Sequence, residues 1–222
     1  MVMSRLISIR KGKIVMFKPR ALKDLIISFV FFAILLFSQN HALAQSMTFD
    51  LVKGINGISL PFEGTGINTA EDLANSIPNC DMVYYWDAEN QKFVAHAKGS
   101  SENNFNVFPG YPYFARVTEE TSWTVSGDIP ESVTFNLITT DGTDINAIAL
   151  PLNMSHITTA EELANEIPNC DTVWYWDAAG QGFVGHPKGS EINNFNVSVG
   201  YPYFVNITGD HLGCCYTFTG LN

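Results

Sequence analysis

The stretch TAEDLANSIPNC at residues 69–80 returns as TAEELANEIPNC at residues 159–170. Each copy reads as one short, well-bounded helix. Thr69 and Thr159 are suited to cap the first free N–H groups, while the acid three residues on, Asp72 or Glu162, reaches back to the cap. Leu73 with Ile77, and Leu163 with Ile167, stand four apart on one face, and Pro78 and Pro168 stop the helix after about two turns. A helix this short is unstable alone, so its apolar face has to plug a sheet.

Working outward, Leu60–Thr118 aligns without a gap to Leu150–Thr208 at an offset of 90, and 37 of the 59 positions are identical. Upstream, Thr48-Phe49-Asp50-Leu51 matches Thr134-Phe135-Asn136-Leu137 at an offset of 86, so the second copy carries four extra residues in a loop around Thr140–Asp144. In the first copy Asn56-Gly57 is a tight-hairpin signal at that place. After each helix, Val83-Tyr84-Tyr85-Trp86 and Val173-Trp174-Tyr175-Trp176 read as strands. Asp87 and Asp177 then open a turn whose left-handed position falls on Asn90 and Gly180. Phe93-Val94 and Phe183-Val184 form the return strand. Asn103–Val107 and residues 193–197 alternate like a half-buried strand. Gly110–Phe114 and Gly200–Phe204 open another, with proline at its start. Trp123-Thr124-Val125 and Tyr216-Thr217-Phe218 close the two copies, and residues 127–130 link them. The expectation is a mostly β protein: two tandem small β-sheet or sandwich-like modules, each with one short capped α-helix.

Residues 1–44 differ from the rest. Seven basic residues precede the apolar run Leu25–Phe37, and Ala42-Leu43-Ala44 is a small-x-small cleavage site, the pattern of a signal peptide. The run is shorter than the ~20 residues a membrane-crossing helix needs. Met16 is an alternative start that leaves a basic region of ordinary length. The organisation expected is a signal peptide at 1–44, one β-rich module at 45–129 and a second at 130–222, exported to the periplasm or cell surface and free of the membrane after cleavage. Removing residues 1–44 takes away seven of the twelve Lys and Arg but one of the 22 acids, which leaves five bases against 21 acids and a net charge of −16. Nucleic acid is therefore not an expected partner, because no basic surface exists to displace phosphate counterions.

The series TAEDLANSIPNC, YYWDAENQ, NNFNV and GYPYF resembles a repeat that recurs, usually in tandem, in exported and cell-surface proteins of bacteria and archaea. The resemblance covers nearly all of residues 45–222. It implies an extracytoplasmic, non-catalytic module and brings no catalytic residues to carry over. His211–Cys215 departs from the pattern, replacing the Glu119–Ser122 lead-in and leaving the register of the last strand open.

Four kinds of site are candidates. His96, Lys98 and Ser100, repeated as His186, Lys188 and Ser190, could be imagined with Asp87 or Asp177 as a hydrolytic triad, but no nucleophile elbow accompanies them. Asp141, Asp144 and Asn146 cluster in the lengthened loop and form a candidate calcium site, against the commoner role of such residues in making turns. Cys80, Cys170, Cys214 and Cys215 are available for disulfides in an oxidising compartment, with three pairings open; for Cys80 and Cys170 an equal alternative is a small buried apolar side chain. Finally, alternation puts Tyr84 with Trp86, and Trp174 with Trp176, on one strand face. If exposed, that face is an aromatic platform for sugar rings or a protein partner, and if buried it is core. Tyr111 and Tyr201 offer a second platform. The combined expectation is a non-enzymatic structural, adhesive or interaction protein that meets other envelope or extracellular proteins or itself. Glycan binding is the alternative, and a secreted hydrolase the more distant one. No cofactor is expected beyond the candidate calcium.

Overall fold

The computed structural model describes residues 8–10, 13–15, 45–139, 143–209 and 214–219. The chain falls into two units, Met1–Leu43 and Ala44–Asn222. In the first, β1 (Ser8–Arg10) pairs with β2 (Lys13–Val15). The apolar run and cleavage site of the expected signal peptide lie outside the described residues, as do Asp141 and the side chains of Cys214 and Cys215.

The second unit is mostly β and contains two similar halves. The first half runs β3 (Gln45–Leu51), β4 (Gly54–Ser59), α1 (Ala70–Ser76), β5 (Cys80–Asp87), β6 (Lys92–Ala97), β7 (Pro112–Val117) and β8 (Thr121–Gly127). The second runs β9 (Ser132–Leu137), β10 (Thr143–Ala149), α2 (Ala160–Glu166), β11 (Cys170–Asp177), β12 (Gly182–Pro187), β13 (Pro202–Thr208) and β14 (Cys214–Thr219). Each half has a four-stranded antiparallel sheet, β4-β7-β5-β6 or β10-β13-β11-β12, and a two-stranded sheet made of its first and last strands, β3-β8 or β9-β14.

Both helices begin with the capping boxes read from the sequence. Thr69 Oγ1 accepts from the Asp72 N–H at 3.2 Å, and the Asp72 carboxylate accepts from the Thr69 N–H at 3.0 Å; Thr159 and Glu162 repeat the arrangement. Each helix turns its apolar face into the core of its own half. Leu73, Ile77, Leu163 and Ile167 are all at most 1 % exposed, each contributing about 1.5–3 kcal/mol of transfer free energy. One core gathers Phe49, Ile58, Leu60, Val83, Val117 and Trp123, and the other gathers Phe135, Ile148, Leu150, Val173, Ile207 and Phe218. The register of the last strand resolves as Tyr216 opposite Phe135, matching Trp123 opposite Phe49.

Three local expectations are corrected. Asn56-Gly57 is not a hairpin turn but lies inside β4, which pairs with β7 rather than β3. The chain turns a corner between two sheets, and the buried Asn56 holds it: Oδ1 accepts from the Val52 N–H at 2.9 Å while Nδ2 donates to the carbonyls of Val52 and Gly54. An asparagine amide supplies both a donor and an acceptor, so it can replace a strand partner at a corner. Next, Asn103–Val107 and its copy form no strand. The segment is a strap across the helix start, where the Ala70 N–H donates to Phe105 O and Asn104 Oδ1 accepts from the Glu71 N–H at 2.9 Å. Of its polar side chains Asn104 caps a free helix N–H, and the strap's strand-like pairing is limited to an isolated bridge between Asn106 and Thr69. Lastly, the left-handed residue of the β5–β6 and β11–β12 turns is Gln91 (φ 47°) or Gln181 (φ 50°), one position later than Asn90 and Gly180. The reason lies in what these glutamines touch.

Candidate functional site

Trp86 and Trp176 do not form an open platform. The outer faces of the two four-stranded sheets meet, and each half reaches into the other in the same way. Trp86 Nε1 donates to Ile145 O at 2.8 Å, and Trp176 Nε1 donates to Ile55 O at 2.7 Å. Gln181 Oε1 accepts from the Ile55 N–H at 2.9 Å while its Nε2 donates to Ile55 O at 3.0 Å, and Gln91 does the same to Ile145 at 3.1 and 3.0 Å. Residues 90 apart thus exchange reciprocal contacts, the signature of a two-fold relation. Each glutamine amide pairs with an outer strand as another strand would, so it closes an edge otherwise open to foreign chains.

Between these bonds lies an aromatic cluster. Phe114 and Phe204 are 5.7 Å apart across the seam, with Trp86 edge-on to Phe204 at 5.6 Å and Phe114 edge-on to Trp176 at 6.2 Å. Phe93 and Phe183 complete it from the hairpins. Tyr84 and Trp174 are half-buried on the same sheet faces. The aromatic face read from the sequence is real, but two of its four side chains, Trp86 and Trp176, are spent on joining the halves.

Tyr111 and Tyr201 also reach across. Tyr111 packs on Phe135 at 5.1 Å and its hydroxyl donates to Thr134 O at 2.7 Å, whereas Tyr201 packs edge-on to Phe49 at 5.3 Å. Beside Tyr201 a recess of about 230 Å³ opens, lined by Gly57 from the first half and by Tyr175, Trp176, Asn196, Ser198, Tyr201, Pro202 and Tyr203 from the second. Its counterpart in the first half carries Ala147 for Gly57 and Phe108 for Ser198, and the Phe108 ring lies 5.9 Å from Tyr111. Sequence reading found Trp176 and Tyr201 but not the recess, because its wall comes from both repeats. The available signal was the pair of divergent positions, Gly57/Ala147 and Ser198/Phe108, within otherwise matched segments.

The remaining candidates occupy structural places. His96 is fully buried, with Nδ1 2.9 Å from Glu102 O and Nε2 2.8 Å from Glu71 Oε2; His186 repeats this with Ile192 O and Glu161 at 2.8 and 2.9 Å. Neither ring nitrogen is left to act as a base. Ser100 Oγ accepts from the Glu102 N–H in a turn, and Asp87 sits at the far end of β5 binding the Asn90 N–H, so the imagined triad is not assembled. Lys98 donates to Ala74 O and Lys188 to Ala164 O. The Glu71 carboxyl is held below its usual range, first by the Gly99 N–H and then by His96; Gly189 and His186 do the same to Glu161.

Of the calcium candidates, Asn146 has its amide committed as Asn56 does: Oδ1 accepts from the Ile138 N–H at 2.7 Å and Nδ2 donates to Ile138 O and Asp144 O. Asp144 is buried, and Asp141 lies outside the described residues. Among the described residues no group of three or more His, Cys, Asp or Glu gathers as a metal site would require. Cys80 and Cys170 are free thiols in separate cores, so the pairing between them is not formed. Burial pushes their thiols up to about 11 and about 12, which keeps them protonated and unreactive.

Compared with protein-family models, curated proteins and solved structures, the chain finds no match.

Proposed function

We infer that this chain is an exported, non-enzymatic interaction protein of the cell envelope or extracellular space. Its repeats serve as a rigid carrier for a binding surface and not as a pair of active sites. The observation that carries the reading is the seam between the halves. There the large aromatics and both hairpin glutamines are used to lock two repeats together, while at one end of that seam an aromatic recess stays open. The residues best able to do hydrolytic chemistry, His96, Ser100 and their copies, are engaged in holding turns and helices. The basic start, apolar run and Ala42-Leu43-Ala44 support export, and the acidity of residues 45–222 suits a soluble protein outside the cell. Its partners on this reading are envelope or extracellular components.

The test has two parts. N-terminal sequencing of protein recovered outside the cytoplasm should begin at Gln45. Incubation of that protein with polysaccharides and peptidoglycan should release no product; turnover that disappears in the His96→Ala, His186→Ala double variant would overturn the reading.

A further inference from the structure

We propose that the recess between Gly57 and the second repeat binds one ring of a neutral carbohydrate. The proposal rests on the non-catalytic reading above and names the ligand class that such a protein would hold. The first support is the wall itself. Three aromatic residues, Tyr175, Trp176 and Tyr201, line it, and Gly57 supplies a bare backbone where a side chain would intrude: a Cβ there would stand 2.9 Å from Pro202 Cγ. Pyranose rings have apolar C–H faces and equatorial hydroxyls, so they need flat aromatic surface together with scattered hydrogen-bonding groups.

Those groups are present and idle. Among the described residues, the hydroxyls of Tyr175, Tyr201 and Ser198 and the side-chain amide of Asn196 are not engaged by any protein partner, while the hydroxyl of Tyr203, deeper in the wall, accepts from the Ser198 N–H at 2.7 Å. In the first repeat the tyrosine equivalent to Tyr201 spends its hydroxyl on Thr134 O. The space, about 230 Å³, lies below the range of drug-sized pockets and suits a single ring of a longer chain that leaves through the open side.

Charge selects among sugars. Among the described residues no Lys, Arg, Asp or Glu lines the recess. An anionic sugar would meet no cation here and would face a strongly acidic protein, which leaves neutral sugars as the matching class. The same residues exist in the first repeat, yet Phe108 and Ala147 stand where Ser198 and Gly57 leave room, so one site per chain follows.

The experiment is titration calorimetry on the exported protein with cellotetraose, chitotetraose and mannotetraose, repeated with Ser198→Phe and Tyr201→Ala. Ser198→Phe places in the second repeat the residue that the first repeat already carries at an exposed position. The expected result is saturable binding of at least one oligosaccharide at one site per chain, weakened on the order of tenfold or more in both variants. Should Tyr201→Ala unfold through loss of its contact with Phe49, Ser198→Phe decides alone, with its melting temperature as control. Unchanged affinity in a folded Ser198→Phe variant overturns the site. No saturable binding of any of the three sugars overturns the ligand class and leaves the non-catalytic reading standing. Release of shorter sugars would overturn that reading instead.

Discussion

The two halves have the same fold, yet they differ in side chains within the cores, as in Trp123 against Tyr216, and in those that meet outside them. On the outer sheet face, the first half pairs Tyr84 with Ala95 and the second pairs Trp174 with Gly185. The exchange is coupled: a Cβ on Gly185 would lie 2.4 Å from Trp174 Nε1, so the larger ring requires the smaller neighbour. Asp81 takes a two-pronged salt bridge from Arg116 at 2.8 and 2.9 Å, whereas Asp171 takes a single neutral bond from Asn206 at 2.8 Å. The capping threonines, corner asparagines and buried histidines are the same in both. At both places a change in volume or hydrogen bonding in one half is matched by a change in its neighbour, and the recess beside Tyr201 is a third place where the halves diverge.

The largest expected effect tests whether the halves are separable. Leu73→Ala and Leu163→Ala each empty a fully buried helix position and should cost about 2–5 kcal/mol. Because Ala44–Asn222 forms one compact unit, both variants should lower a single calorimetric transition; two resolved transitions, with one unmoved, would show the halves melting independently. Next in size, Gly185→Ala should cost about 1–3 kcal/mol through overpacking against Trp174, and adding Trp174→Tyr should recover most of it by recreating the first half's pair. No recovery in chemical denaturation of the double variant would remove the coupling argument.

The joint itself comes next. Gln91→Ala with Gln181→Ala removes the strand-like amide pairs to Ile145 and Ile55, at about 0.5–1.5 kcal/mol for each exposed bond lost. Faster amide exchange at Ile55 and Ile145, with the helices unchanged, is the expected signature. The mildest test is one of acidity, shared by both halves. The carboxyls of Glu71 and Glu161 are depressed in the fold, as are the capping Asp72 and Glu162. Their stabilising contribution is therefore present above the unfolded carboxylate value of about 4.3 and is lost as pH falls through the lower folded values. Melting temperature should decline on acidification below about pH 4, and Glu71→Gln with Glu161→Gln should make that decline shallower. An unaltered acid slope would place the acid sensitivity elsewhere.

Elements whose causes are local were legible in the sequence. The capping boxes at Thr69 and Thr159, the proline stops and the aromatic strands β5 and β11 each follow from spacing within a dozen or so residues, and the structure contains them. What misled was also local. Asn56-Gly57 carries a turn signature, but the Asn56 amide found backbone partners at a corner between sheets, and burial there outweighed turn propensity. Asn103–Val107 alternates like a strand, yet its carbonyls and amides answer the free N–H groups of a helix start.

The sequence by itself determined two matching β-rich repeats with short capped helices, because hydrophobic period, caps and turns act over a few residues. Only the tertiary structure decided what the aromatic faces do. Whether Trp176 meets solvent or Ile55 depends on how one repeat docks on the other, a contact 121 residues distant along the chain. The recess depends on the same docking, since Gly57 and Tyr201 become neighbours only when two sheets meet, and no pattern within either repeat encodes that meeting.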